Sequence, residues 1–247
     1  MHQKIALCFL TYGDLSQPIL WKNFLESNSN YNVYIHNKYP IENDYFKKYS
    51  IKNKIDTKWG DISLVKATLL LFKTAFEDFE NEYFILLSDK CIPLYNSDLL
   101  YQKIYELNSN IVSCHKCKIN IRFKNMKNKN FILKDNFKQQ DQWMLLVRNT
   151  VDYFLKHDYL NEFGDQVFAI DEHYFVNIMR EFNIPFLNKK ITYVHWDIKI
   201  DHQHPKTFEN IKEDLLKEIL EKDYLFIRKI KDKCCFSNKF IKHLQIC

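Results

Sequence analysis

Glycine is nearly absent from this chain of 247 residues, which has only Gly13, Gly60 and Gly164. A glycine-rich phosphate cradle of the dinucleotide or P-loop type is thereby excluded, and a nucleotide would have to be held by other means. Long apolar runs are also missing. The amino terminus offers only Ile5 to Leu10, too short for a bilayer span or a signal-peptide core, so the expectation is a cytoplasmic chain with no membrane span. Seven cysteines, an odd number without the regular spacing of a small secreted scaffold, read as reduced thiols. Cys114 and Cys117 have C-x-x-C spacing, but no second pair follows at finger-like distance, so no metal is expected there. The net charge of +5 is spread along the chain rather than gathered into a dense patch, and nucleic acid is not the expected partner.

What the chain has is enough apolar and aromatic material, 46% and 16%, to bury a large core. A buried strand, IALCFLT, precedes a short helix from about Gln17 to Glu26 and a second β-rich run, YNVYIHN. That succession predicts an α/β fold with a mixed, mostly parallel sheet flanked by helices and a single domain over 1–247. Ligands of such sheets bind beyond the carboxyl ends of the strands, which puts Thr11, Tyr12, Gly13, His36 and Asn37 at a candidate nucleotide rim. A periodic helix follows from Leu64 to Phe76. The apolar run Tyr83 to Leu87 then reads as a central strand, buried on both faces. Ser97 to Leu107 reads as a helix, Ile111 to Cys114 as a short strand and Trp143 to Val147 as another. Glu209 to Leu220 reads as a charged helix near the carboxyl end. Between Lys116 and Gln140 the chain is rich in Lys and Asn and weakly patterned, and it reads as a long surface excursion, a lid or a solvated loop.

The stretch FAIDEHYFVNIMREF, residues 168–182, carries the candidate chemistry. Tyr174, Phe175, Ile178, Met179 and Phe182 recur at helical spacing, and Asp171 is a favoured N-cap, so the helix is expected to begin at or just after Asp171. Glu172 then falls in the first turn, where unpaired amides favour a carboxylate. An ionised, positioned carboxylate is what a general base requires. From this stretch alone, helix capping is the preferred account of both residues, since acidic first turns are common.

Six elements in order then resemble the core-2/I-branching β-1,6-N-acetylglucosaminyltransferase family, including its plant relatives: WGDISLV, YFILLSDKCIPLYN, QWMLLVR, IDEHYF, YVHWD with HPKTF, and LFIRKI. The resemblance runs from Lys4 to Lys231. It implies a GT-A-type fold and inverting transfer of a sugar from a UDP-sugar to a glycan or glycoprotein hydroxyl, with N-acetylglucosamine the first choice of donor sugar. Xylosyl or glucosyl transfer, or a catalytically silent sugar- or nucleotide-binding module, are the alternatives. Glu172 matches the family's catalytic base. No Asp-x-Asp occurs anywhere in the chain, and the family is likewise metal-independent, so no cofactor is expected. Basic side chains do the metal's electrostatic work, with Lys229 matching the phosphate lysine and Arg228 and Lys206 as further contacts. Trp196 matches a tryptophan near the acceptor sugar, and Asp171, Gln142 and Trp143 are candidates for the same groove. Without the motif, Lys206 and Lys229 read as solvated charges, and for either tryptophan a core role stands level with a place in the groove. His195, Asp197, Asp201, His202 and His204 cluster in sequence, but their spacing lacks the geometry of a metal site.

Overall fold

A computed structural model describes residues 3–118, 120–196 and 204–244. The first strand, β1 (Lys4–Thr11), buries Ile5 through Phe9 completely, as a central strand with apolar layers on both faces must. Helix α1 (Pro18–Glu26) starts with proline in its first turn, where the missing amide costs nothing. It leads into β2 (Tyr31–Asn37), parallel to β1 from Ile5 opposite Tyr31 to Thr11 opposite Asn37. After the single turn α2 (Asp44–Lys47), helix α3 (Ser63–Phe76) returns the chain to β3 (Asn81–Ser88), which pairs in parallel with the other side of β1. Two parallel crossovers thus set the carboxyl ends of β1, β2 and β3 along one edge.

Beyond β3, the short β4 (Ile92–Pro93) precedes α4 (Ser97–Leu107). Asn96 caps α4 by accepting from Leu99 N at 2.9 Å, and Asn108 ends it in the left-handed region at φ 38°. The segment after it carries β5 (His115–Lys116), α5 (Asn120–Lys124) and β6 (Lys138–Gln139), with β5 and β6 antiparallel. Next, β7 (Leu145–Val147) closes the main sheet antiparallel to β3, giving the order β2-β1-β3-β7. Arg148 begins α6 (Arg148–Lys156) and donates to the carbonyls of Phe76, Asp78 and Asn81, with its guanidinium 3.9 Å over the Phe76 ring. It ties α6 to the end of α3, where free carbonyls favour a cation.

Helix α7 (Leu160–Phe163) and a 3-10 turn (Ile170–Glu172) lead to α8 (Tyr174–Glu181), which packs Phe175 against Phe72 of α3 and Phe154 of α6. The rest of the chain supplies β8 (Thr192–Val194), β9 (Phe208–Asn210), α9 (Glu213–Glu221), β10 (Phe226–Arg228), β11 (Ile230–Cys235) and α10 (Asn238–Leu244). Strands β4, β10 and β8 form a second sheet, and β11 pairs in parallel with β9. The architecture is the expected α/β one, a mixed and mostly parallel sheet flanked by helices. Among the described residues no helix is long and apolar enough to cross a membrane.

Four local expectations need correction. Ile111 to Cys114 is no strand: Ile111 alone bridges, to Leu145 and Leu187. The charged helix begins at Glu213, because Phe208 N is drawn to Lys229 O at 2.8 Å and makes β9 instead. Asp171 caps nothing, since its side chain is buried, and α8 starts only at Tyr174 after the 3-10 turn. The 116–140 segment is not a solvated excursion: Met126, Ile132 and Phe137 are buried in the core.

Candidate active site

The turn that carries Glu172 is fixed from both sides by backbone. Ala169, in the left-handed region at φ 53°, donates its N–H to Gly60 O at 2.7 Å and accepts from Glu172 N at 2.9 Å. Glu172 O in turn accepts from Gln140 N at 2.8 Å. The side chain is gripped as well. Arg122 Nη1 donates to Glu172 Oε2 at 2.6 Å, and Gln139 Nε2 donates to the same oxygen at 2.8 Å. Both donors come from the 116–140 segment, so the stretch that looked least structured in the sequence supplies the groups that orient the carboxylate.

His173 lies beneath this pair, fully buried. Its Nδ1 is 2.7 Å from Lys138 O, an acceptor only, which assigns the proton to Nδ1. Nε2 is then free to accept from Arg122 Nη1 at 3.1 Å. The ring stacks on Phe137 with centroids 4.6 Å apart and planes 18° apart. Burial, with the Arg122 charge adding to it, lowers the His173 pKa to about 4, so the ring is neutral at physiological pH. Asp171 is buried on the other side of the turn with Oδ1 lacking a hydrogen-bond partner, and burial and the Glu172 charge raise its pKa to about 7. Asn177 locks the arrangement, accepting from Lys138 N and donating to Lys138 O, both at 2.8 Å, while Gln140 Oε1 accepts from Val176 N at 2.6 Å.

The carboxyl edge of the main sheet forms the second half of the site. Ser16 N donates to Asp89 O at 2.9 Å and Ile230 N to Lys90 O at 3.0 Å, bringing the loops after β1 and β3 against the β10–β11 junction. Arg228 sits there with its guanidinium 4.3 Å over the Trp143 ring and its Nε buried without a partner. Burial raises the Asp89 pKa, and Lys90, Arg228 and Lys229 oppose that rise, which makes these three cations its neighbours. Lys206 is exposed. Its N–H donates to His195 O at 2.9 Å, and Phe208, two residues on, donates to the Lys229 carbonyl at 2.8 Å. Gln139, on the Glu172 carboxylate, and Trp143, under Arg228, are four residues apart in sequence. At most about 14 Å of extended chain therefore joins the carboxylate half of the site to the cationic half.

The expected residues divide into those that are exposed to solvent and those that are not. Glu172, Lys229, Lys206, Tyr12, Gly13, Gln142 and Trp196 are at least partly exposed. His36 is 1% exposed and its Nε2 accepts from Ile55 N at 3.0 Å, so it braces the loop after β2 instead of facing a ligand. Thr11 and Asn37 are buried as well, Asn37 accepting from Ser50 Oγ at 2.7 Å. Trp143 gives its face to Arg228 and Asp171 is buried, which removes both from the acceptor surface. Asp197, Asp201 and His202 lie outside the described residues. Among the described residues, no three His, Cys, Asp or Glu side chains gather as metal ligands would. Arg122 and Gln139 were missed; the apolar residues punctuating their polar segment, Phe123, Met126, Ile132 and Phe137, were the available sign that it folds inward.

A carboxylate held by two donors, joined by one short run of chain to a cluster of cations, is an arrangement suited to group transfer from an anionic leaving group. Residues 5–220 match the family model of the Core-2/I-Branching enzyme. The chain belongs to that family, which is one of glycosyltransferases. Among curated proteins it is similar to the glycosyltransferase BC10 of Oryza sativa subsp. japonica, 22% identical over 164 residues, covering 63% of this chain and 41% of the rice protein. The chain thus spans about two fifths of that relative's length. Among solved structures it is similar to the bifunctional glycosyltransferase WbbM in its apo form, with TM-score 0.47 and 10% identity over 99% of this chain and 50% of that one. A cytidylyltransferase from Leptospira borgpetersenii gives TM-score 0.37 and 11% identity over 75% of this chain and 74% of that one.

Proposed function

We propose that the chain is an inverting glycosyltransferase of GT-A type that moves a sugar, N-acetylglucosamine first, from a UDP-sugar to a glycan hydroxyl without a metal ion. The observation that carries this reading is the double grip on Glu172 Oε2 by Arg122 and Gln139. Both donors hold the same oxygen, so Oε1 is the one left to accept a proton. In the proposed reaction Oε1 takes the proton of the acceptor hydroxyl as its oxygen attacks the anomeric carbon, and the bond from that carbon to the diphosphate oxygen breaks. General-base help of this kind is worth ~10²- to 10⁴-fold.

The departing UDP carries the charge that the cationic half of the site is suited to receive. Arg228 has a buried Nε without a hydrogen-bond partner, and a buried unpaired donor is costly until an acceptor arrives. The β9–β11 pairing sets Phe208, two residues after Lys206, against the Lys229 carbonyl, and the two lysines would complete the clamp. Tyr12 and Gly13, after β1, are positioned toward the same edge. Calorimetric titration of UDP and UDP-sugars in EDTA, then with manganese, tests the reading. Binding in EDTA that weakens in Lys229→Ala supports it, binding only with manganese removes the metal-free clamp, and no binding in either condition favours a silent module.

A further inference from the structure

Trp59 and Phe168 are exposed by 66% and 47%, yet neither is a loose side chain on a loop. Their rings meet edge to face with centroids 5.1 Å apart and planes at 72°. Gly60, between them, has φ +72°, and a Cβ there would lie 2.4 Å from the Phe168 ring, so only glycine lets that ring lie against the backbone. The hydrogen bond from Ala169 N to Gly60 O joins the two elements directly beside the aromatic pair. Phe168 also lies 5.8 Å from the guanidinium of Arg122, the group that holds Glu172. On the other flank the Trp59 ring is 6.4 Å from that of His204, two residues before Lys206.

This surface is small and apolar, one ring presenting its face and the other its edge, with charged or polar groups at its rim: Lys58 and Asp61 along the chain, Arg122 and His204 in space. A pyranose has the matching distribution, with apolar C–H groups on its face and hydroxyls around its edge. We infer that Trp59 and Phe168 form a stacking platform for a pyranose ring at the mouth of the Glu172 site, in addition to the acceptor contact expected of Trp196. The inference rests on the transferase reading only for the origin of that sugar, which is the acceptor glycan or the sugar of the donor.

The test is calorimetric titration of wild type, Trp59→Ala, Phe168→Ala and Trp59→Phe in two arms. One arm uses di- and trisaccharides containing N-acetylglucosamine, galactose or xylose; the other uses UDP beside UDP-N-acetylglucosamine. Thermal melts establish that the variants are folded, as the exposure of both side chains predicts. Removing one ring is expected to weaken saccharide binding about tenfold, with Trp59→Phe retaining most of the affinity and UDP binding unchanged. Loss confined to UDP-N-acetylglucosamine relative to UDP supports the platform and assigns it to the donor sugar. Equal affinities in wild type and both alanine variants overturn it, as does a wild type that binds no sugar in either arm. A wild type that binds saccharides through these rings but not UDP would overturn the transferase reading and leave the platform standing.

Discussion

Arg122 and Glu172 meet at 2.6 Å with 9% of the arginine side chain exposed and 33% of the glutamate side chain exposed. The cation is therefore rooted in the protein and the carboxylate is presented at its surface. Removing the guanidinium should misdirect Glu172 without touching the cationic half of the site. Arg122→Ala is expected to lower turnover about a hundredfold, the scale of a roughly 1 Å misplacement, with UDP affinity unchanged. Arg122→Lys should not restore it, because the lysine stem ends one bond short of Nη1, the single nitrogen that meets both Glu172 Oε2 and His173 Nε2. Steady-state kinetics beside UDP titration check both variants.

Glu172→Gln keeps the size of the side chain and removes the base. Transfer should fall by ~10²- to 10⁴-fold while UDP binds as before. Activity equal to wild type would take the role of base away from Glu172.

The two adjacent basic residues should part company. Lys229→Ala is expected to weaken UDP binding about tenfold in EDTA with little change in Tm, since its side chain is partly exposed. Arg228→Ala should weaken UDP binding and also lower Tm, because Trp143 loses the cation stacked on it. Titration and thermal melts on the same samples separate the two effects.

Two buried titratable groups flank Glu172 with opposite effects on stability. The Asp171 pKa rises from its ordinary 3.8 to about 7, so the folded state holds the extra proton and Asp171 contributes stability that is lost as pH rises from about 4 to 7. The His173 pKa falls from its ordinary 6.5 to about 4, so its contribution is lost as pH falls over that interval. Each has a limiting slope of about 1.4 kcal/mol per pH unit, and in the wild type the two largely cancel between pH 4 and 6.5. Relative to wild type, Asp171→Asn should therefore gain stability with rising pH and His173→Gln should lose it. Urea unfolding at pH 4.5, 5.5 and 6.5 reads these differences, and parallel profiles for all three proteins would refute the assignment.

The parts of the fold readable in the sequence are those where burial and periodicity agree. Strand β1 is apolar on both faces and helix α4 is bracketed by Asn96 and Asn108, and both were expected near their observed limits. The motif singles out Glu172 as a candidate, and the structure leaves its carboxylate partly exposed. The partners of that carboxylate were not legible, because Arg122 and Gln139 sit in a Lys- and Asn-rich stretch whose inward-facing residues follow no single period. Nor does sequence reveal that His36 and Trp143 would be consumed internally, since a polar side chain can brace a loop and an aromatic ring can support a cation as readily as either can meet a ligand. Those choices depend on contacts across the chain.

The pairing of Arg122 with Glu172 also bears on how the site comes into being. The partners are 50 positions apart, and Gln139 is 33 positions from the same carboxylate. Neither contact can form until a long loop has closed, and that entropy is spent before the contact returns anything. Helices such as α3 and α4 need only local order. During refolding the helical content should thus return ahead of the oriented carboxylate, so the chain passes through a stage that is largely folded but not yet competent.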